Sequence, residues 1–568
     1  MAQQLYFSRD TRMFIQFRNT TDNSEAAANL GKGALFEIPI LDGYSFSQTT
    51  NTSEITLAEM ESTAGISRRG RRVFTDSLAP AEWSFSSYVR PFKSLGQDAL
   101  TAGQKAAEVT TGTDVHAVEE VLFASMFGAD TYTASTSTFT RATNPAVSGG
   151  AVVTPGANSS VIKISESNRS ALHSFVIYFL IDTAEDNPVV YRLPEAIVNE
   201  VSMDFDVDGI ATLNWSGFAK EIQDVSGSVA TGTTAPLSNA TTKDGTAMAL
   251  GDIFIDTDNT QGRAFHVVNT VPGGSNATSV TQAIDEATTS TKNFIRNRLT
   301  SVEVEAAVAT DKVAGIFPGQ HAVISAVDVS GGTDKVTTST DHGFTTGDEV
   351  QISGITGSSG TAADLNGTHF VNVTSATQFK LYNSAANAIA DGSTGLTDLD
   401  TLNAGATLTS SVVANGKYSL VLTGGSFTIG NGITFLVPEE LGAINKPLEH
   451  VTGVRSATGN ATCYLTLEDG DLTNGTSRQF FNDLVSTSAM SKVVNKFKVT
   501  MFVGGKAAAE NNTDPALEVK FPTAHIEVPS HQIEDVISLE TNFQALPTDF
   551  GTADEITHIK YYPVDTYS

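Results

Sequence analysis

The stretch "LAPAEWSFSSYVRPF" occupies residues 78–92. Trp83, Phe85 and Val89 alternate with Ser84, Ser86 and Arg90, and a two-residue period puts the aromatic rings on one face of a β-strand. The strand follows directly on "RRGRR" (68–72), the densest basic run of an otherwise acidic chain. A half-apolar strand must pack its ringed face against something. Its surroundings, and a second set of strands later in the chain, indicate what.

The chain has 568 residues, 40% of them hydrophobic and 17% charged. That length predicts about two to four domains with real cores. With so few charges, the polar surface must come from Ser, Thr, Asn and Gly, which weaken helices and favour turns. Together with many Val, Ile and Phe runs, this predicts a mainly β protein. Lys and Arg total 34 against 63 Asp and Glu, a net charge of −29. A DNA-gripping protein neutralises phosphates with cations, so this balance predicts repulsion. The single cysteine, Cys463, precludes an intrachain disulfide framework and is expected to be a small buried apolar residue. The opening "MAQQLYFSRDTRMFIQF" lacks the pattern of a signal peptide. No apolar run approaches ~18 residues, so no membrane insertion is expected.

Residues 1–224 read as strands ("RMFIQF", "LFEIPIL", "EWSFSSYVRPF", "SFVIYFLI") around one helix at 114–128, N-capped by Asp114 and ended by Gly128. Residues 225–290, rich in Thr, Ser, Gly and Ala, read as a linker or peripheral element. Segments of 291–568 then match the first part in the same order. "LYFSRDTRMFIQF" (5–17) matches "NFIRNRLTSVEVE" (293–305), and "EIPILDGYSFSQTTNTSEITLAE" (37–59) matches "SLVLTGGSFTIGNGITFLVPEE" (419–440). The aromatic strand matches the region ending in "TCYLTL", the helix matches "TSRQFFNDLVSTS" (476–488), and "FVIYFLID" matches "FKVTMFVGG" (497–505). In the last pair, 191–219 matches 519–546, with Pro194 on Pro522 and Ala196 on Ala524. Six pairs in one order indicate an internal duplication.

The second copy is interrupted. Short strands punctuated by Gly343, Gly347–Asp348, Gly354 and Gly367 predict a small inserted β-barrel, bounded by "SGGTDK" and "ADGSTGLTD" as apparent hinges. The expected organisation is a first module at 1–224, a peripheral element at 225–290, a second module at 291–317 plus 406–568, and an inserted barrel at 318–405.

Taken together, "EIPILDGYSFSQTTNTSEITL", "LAPAEWSFSSYVRPF", "VNEVSMDFDVDGIATLNWSGFAKEI" and "ISLETNFQALPTDFGTADEITHIKYY" resemble phage tail tube proteins. The likeness covers most of 1–224 and of 291–568. It implies two tail-tube-type β-sandwich modules, each with a flanking α-helix. It also implies self-assembly as trimeric, pseudo-hexameric rings stacked into the tail tube of the virion, with DNA passing without adhesion and with tip, terminator and tape-measure proteins as partners. The implied protein is not an enzyme and carries no cofactor. An alternative is a receptor- or carbohydrate-binding β protein of the tail tip, with Trp83 as a sugar platform.

No catalytic constellation stands out. "DFDVDG" (204–209) opens like a calcium loop, but its twelfth position is Trp215, not Glu. It reads as a strand with Phe205 and Val207 inside and Asp204, Asp206 and Asp208 outside. The histidines form no zinc motif, and Gly416–Lys417 and Gly505–Lys506 lack the upstream Gly of a P-loop. Trp83 and Trp215 read as core anchors. The candidate lumen acids are Asp204, Asp206, Asp208, Glu54 and Glu59, with 37–59 and 419–440 as candidate inner strands. Arg68, Arg69, Arg71 and Arg72 are candidates for docking on a neighbouring subunit's acidic surface.

Overall fold

The computed structural model describes residues 6–56, 71–94, 114–142, 150–164, 172–181, 188–233, 240–257, 264–269, 277–282, 294–306, 322–327, 334–344, 346–356, 365–399, 412–415, 417–438, 445–466, 475–485, 497–505, 514–533, 535–547 and 554–563. Among these the protein is mainly β.

In the first half, Ala34–Ile38, Thr11–Phe17, Phe175–Ile181, Val189–Asp206, Thr212–Ala219, Ala81–Tyr88 and Ser45–Ser47 pair in that order, each antiparallel to the next. In the second half the order Lys417–Leu420, Ser301–Ala306, Phe497–Val503, Ala516–Ile526, Ser538–Ala545, Ser456–Tyr464 and Leu422–Gly430 repeats it strand for strand. The register repeats as well. Ala196 and Ala524 hold the same place opposite Phe175 and Phe497. Trp83 lies between Gly217 and Phe46, and Gly459 lies between Phe543 and Phe427.

The run "FVIYFLI" at Phe175–Ile181 is apolar throughout because both its faces are covered. Phe175, Ile177 and Phe179 enter the main core. Val176, Tyr178 and Leu180 meet a second layer made by Val229, Ile253, Ile255, Phe265 and Val267, where Phe14 stacks on Phe265 at 4.2 Å. That layer, strands Val229–Gly232, Ile253–Asp256, Ala264–Val268 and Ala277–Gln282, joins Ala34–Ile38 through a parallel pairing. The segment read as a linker or peripheral element thus carries a covering sheet.

The helix expected at 114–128 is shorter. Asp114–Ala117 is a strand paired with Pro91–Ser94, and the helix runs Glu120–Met126 from an N-cap at Glu119. Asp114 caps nothing. Every residue of the helix is buried, so it has no polar face from which to read a start. Gly128, at φ +92°, closes it. The counterpart helix is Ser477–Leu484, with Phe480 against Tyr418 and Phe497; 486–488 lie outside the described residues.

Strands Ala322–Val327, Lys335–Thr338, Gln378–Tyr382, Gly367–Ser375, Glu349–Ser353 and Val412–Asn415 close into a barrel with its own core. Val412–Asn415 lies beyond the boundary read at 405. Of the stretches read as hinges, 330–333 lie outside the described residues, while Lys335 opens a strand of this barrel and Asp391 accepts from Tyr382 Oη (3.1 Å) and pairs with Lys380 (2.8 Å) of another. Only residue 416 separates its last strand from Lys417–Leu420 of the second module. There Lys417 Nζ is buried between Asp348 Oδ1 (2.5 Å) and Glu303 Oε2 (3.3 Å). Burial alone would lower the Lys417 pKa, but the facing carboxylates outweigh it and raise it, so the ammonium stays charged.

Candidate assembly seam and polar sheet face

The modules join edge to edge. The last part of Val189–Asp206 pairs with Leu422–Gly430, from Glu200 opposite Gly430 to Asp206 opposite Gly424. The two sheets thereby become one. Ser86, Asn214, Ser202, Thr428, Thr458, Gln544 and His525 lie side by side in a single row across both modules. A second row runs Ser45, Ser84, Ser216, Glu200, Gly430, Ser456, and a third runs Asp204, Ser426, Asn460, Asn542. These rows make one polar face. Its carboxylates include Glu82, Glu200, Asp204, Asp206, Glu527 and Glu540, and no Lys or Arg stands at the positions named here. The opposite face is the core: Trp83, Phe85, Met203, Phe205, Leu213, Trp215, Phe427 and Phe543 are buried there. A Cβ on Gly425 or Gly459 would strike a ring, Phe205 or Phe543, so packing fixes these two mid-strand glycines.

Beside the paired strands, the hairpin of Thr434–Leu436 and Glu449–Val451 seats on the first module. Ile433 and Phe435 pack with Leu172, Ile197 and Phe218, the Phe218 and Phe435 rings 6.4 Å apart. Asn199 supports the joint twice. Its backbone carbonyl accepts from Asn431 N–H and its Oδ1 from Ile433 N–H, both at 2.8 Å. Asn431 Nδ2 donates to Met126 O at the end of the first helix (3.1 Å). A second joint pairs Ser160–Ile162 with His558–Tyr562. There Tyr561 donates to Glu119 Oε1 (2.7 Å), and Ser160 donates to Glu120 Oε1 (2.5 Å) while His116 Nδ1 lies 3.1 Å from Glu120 Oε2. Burial pushes the Glu119 carboxyl up to about 7, against the lowering effect of the Tyr561 hydrogen bond.

Asp204 and Asp206 are exposed on the polar face beside the seam. Asp208 lies past the strand end, 3.9 Å from Arg298. Val207, expected inside, is 46% exposed because the strand stops at Asp206. Glu54 sits apart, on the hairpin Thr50–Thr56/Arg71–Leu78, where Arg71 Nη1 is 3.2 Å from its Oε1. Arg72 lies over the Phe74 ring on the same hairpin. Glu59, Arg68 and Arg69 lie outside the described residues. Trp83 and Trp215 are core residues: Trp83 Nε1 donates to Phe218 O (3.1 Å) and Trp215 Nε1 to Ser87 Oγ (3.3 Å). Cys463 is buried, which raises its thiol pKa to about 11. Among the described residues no group of His, Cys, Asp or Glu could hold a metal ion, and no helix is long and apolar enough to cross a membrane. Sequence reasoning missed Asn199, Asn431 and Glu119. For Asn431 the "GNG" turn at 430–432 was a usable signal; the other two carry none.

Over 141 residues the chain is 34% identical to tail tube protein pb6 of Escherichia phage T5, which bears out the resemblance to phage tail tube proteins. The matched stretch is 25% of this chain and 28% of that protein. No protein-family model matches the chain.

Proposed function

We propose that this chain is the structural subunit of a phage tail tube and polymerises in the virion as stacked rings around a channel for DNA. The observation that carries the proposal is the seam. Glu200–Asp206 of one module pairs with Gly424–Gly430 of the other, while the equivalent edges are open. Ser45–Ser47 pairs on one side only, with Glu82–Ser84, and Ser530–Gln532 on one side only, with Ser538–Glu540, among the described residues. These are the counterparts of the two strands that meet in the internal seam. An unpaired strand edge is a template for another chain, and a head-to-tail contact between copies closes into a ring when its rotation divides the circle.

Each chain supplies two quasi-equivalent modules, and three chains make a ring of six. Ser530 would then oppose Ser47 of the next chain, and Gln532 would oppose Ser45. The polar rows face the bore. Short hydroxyl and amide side chains with scattered carboxylates give phosphates nothing to bind, whereas each Lys or Arg there would add a counterion-releasing contact. The barrel at 322–415 projects outward as decoration. Tip, terminator and tape-measure proteins are the expected partners, and no chemistry is assigned. Electron microscopy of the purified protein tests the reading: hollow rods support it, and a discrete oligomer without a channel contradicts it.

A further inference from the structure

The two kinds of seam in such a ring differ in chemistry. We infer that the contact between chains is polar where the contact within the chain is apolar, and that the hairpin Thr50–Thr56/Arg71–Leu78, exposed along residues 71–76, is the arm that seats on the next copy. The inference rests on the tube reading and specifies its interface.

Strand register fixes the equivalences. Ile197 opposes Phe218, and His525 opposes Gln544 at the same place in the second module, one residue after Ala196 and Ala524 respectively. Phe46 and Phe427 are equivalent through Trp83 and Gly459. Ile433 and Phe435 therefore correspond to Thr52 and Glu54, six and eight residues further on. Of the apolar cluster Leu172, Ile197, Phe218, Ile433 and Phe435 that closes the internal seam, four members are thus exchanged for His525, Gln544, Thr52 and Glu54. Asn199, which caps the internal joint, corresponds to Glu527.

Two further observations indicate that these residues meet a second copy. The internal hairpin is seated, with Phe435 9% and His450 8% exposed, whereas its counterpart is tied at its base, where Leu78 N–H donates to Asn445 O (2.8 Å), and leaves Val73 60% and Phe74 41% exposed. On the other side, His525 Nδ1 is buried and has no hydrogen-bond partner among the described residues, a group that a partner's donor or acceptor would satisfy. A groove of about 390 Å³ is lined there by His525, Glu527, Asn542 and Gln544 together with Thr428 and Thr458. The occupant is Thr52–Glu54 of a neighbouring copy, with the Thr52 N–H donating to Glu527 as Ile433 N–H donates to Asn199. The internal seam is held covalently and by apolar packing. At the positions equivalent to the internal apolar cluster the external seam carries polar side chains, so rings open between chains, not between modules.

The test copies the internal seam into the external one. One chain carries His525→Ile and Gln544→Phe, a second carries Glu54→Phe, and the two are mixed. Sedimentation reads the concentration at which half the chains are associated. The mixture should associate at a concentration at least tenfold lower than the unaltered chain, and neither variant alone should. Circular dichroism of each variant confirms its fold. In parallel, Ser47→Cys with Ser530→Cys is oxidised in the full chain. Interchain crosslinks without any gain in the mixture would overturn the seam chemistry and leave the tube reading intact. Absence of both crosslinks and rods would overturn the tube reading itself, and this inference with it.

Discussion

Trp83 lies across the backbone of Gly217, its strand partner, and in the second module the same pair of positions is filled by Gly459 and Phe543, with the bulk moved to the other strand. A Cβ on Gly217 would come within 2.4 Å of the Trp83 ring, and one on Gly459 within 2.5 Å of the Phe543 ring. Each module therefore keeps one large and one absent side chain at this pair, a volume-conserving exchange of the kind cores tolerate best. Side-chain volume is held at the pair although neither residue is.

Gly217→Ala should destabilise the first module by at least about 1–3 kcal/mol through overpacking, because its Cβ would also lie 2.1 Å from Ile197 O, a backbone atom that cannot yield cheaply. Trp83→Ala should cost about 3–5 kcal/mol by leaving a cavity. Thermal or denaturant unfolding measures both. A neutral Gly217→Ala would mean that the strands can separate here.

This pair also shows why the duplication was readable but its register was not. Segment order survived through patterns such as "FVIYFLID" and "FKVTMFVGG", where burial dictates apolar residues. The aromatic strand matched poorly because Trp83 has become Gly459, and only Tyr88, equivalent to Tyr464 by register, keeps an aromatic match. The barrel was legible from its turns, but its last strand was not, since Val412–Asn415 runs almost directly into the module. The first helix was misplaced because it is buried all round, so no amphipathic face marked it. The seam was invisible in sequence. It depends on which edge meets which, and Ser, Thr and Asn on a strand look alike whether they face solvent or a bore.

Glu119 should make stability fall as pH rises. Its folded-state pKa of about 7 lies above its ordinary 4.5. Between those values the folded chain binds the extra proton, so stability is greatest below 4.5 and is lost as pH rises toward 7. The difference corresponds to at most about 3 kcal/mol. Glu119→Gln, which can still accept from Tyr561, should flatten that part of the pH–stability curve and be the more stable protein at pH 8. An unchanged slope would show that Glu119 is ionised in the joint.

Lys417→Met should leave Asp348 and Glu303 facing each other without their cation. Breaking a buried pair from one side costs about 3–5 kcal/mol. The melting temperature should drop, and protease should cut between the barrel and the second module before it cuts either one. A variant with unchanged melting and cleavage would mean that the join is held by the strands alone.

Asn214→Lys combined with Ser202→Lys should put cations into one row of the polar face, away from the groove, without disturbing the core behind it. Assembled tubes of this variant should retain DNA at low salt and release it steeply as salt rises, while unaltered tubes retain none. Equal retention by both would place this face outside the bore.

The central claim is that one chain carries two ring positions, and a cross-section of the assembled tube by electron cryomicroscopy tests it most directly. The account predicts three chains per ring, strict threefold symmetry that is nearly sixfold, and Ser530 of each chain paired with Ser47 of the next. Six chains per ring, or a ring in which Ser45–Ser47 and Ser530–Gln532 remain unpaired, would contradict it.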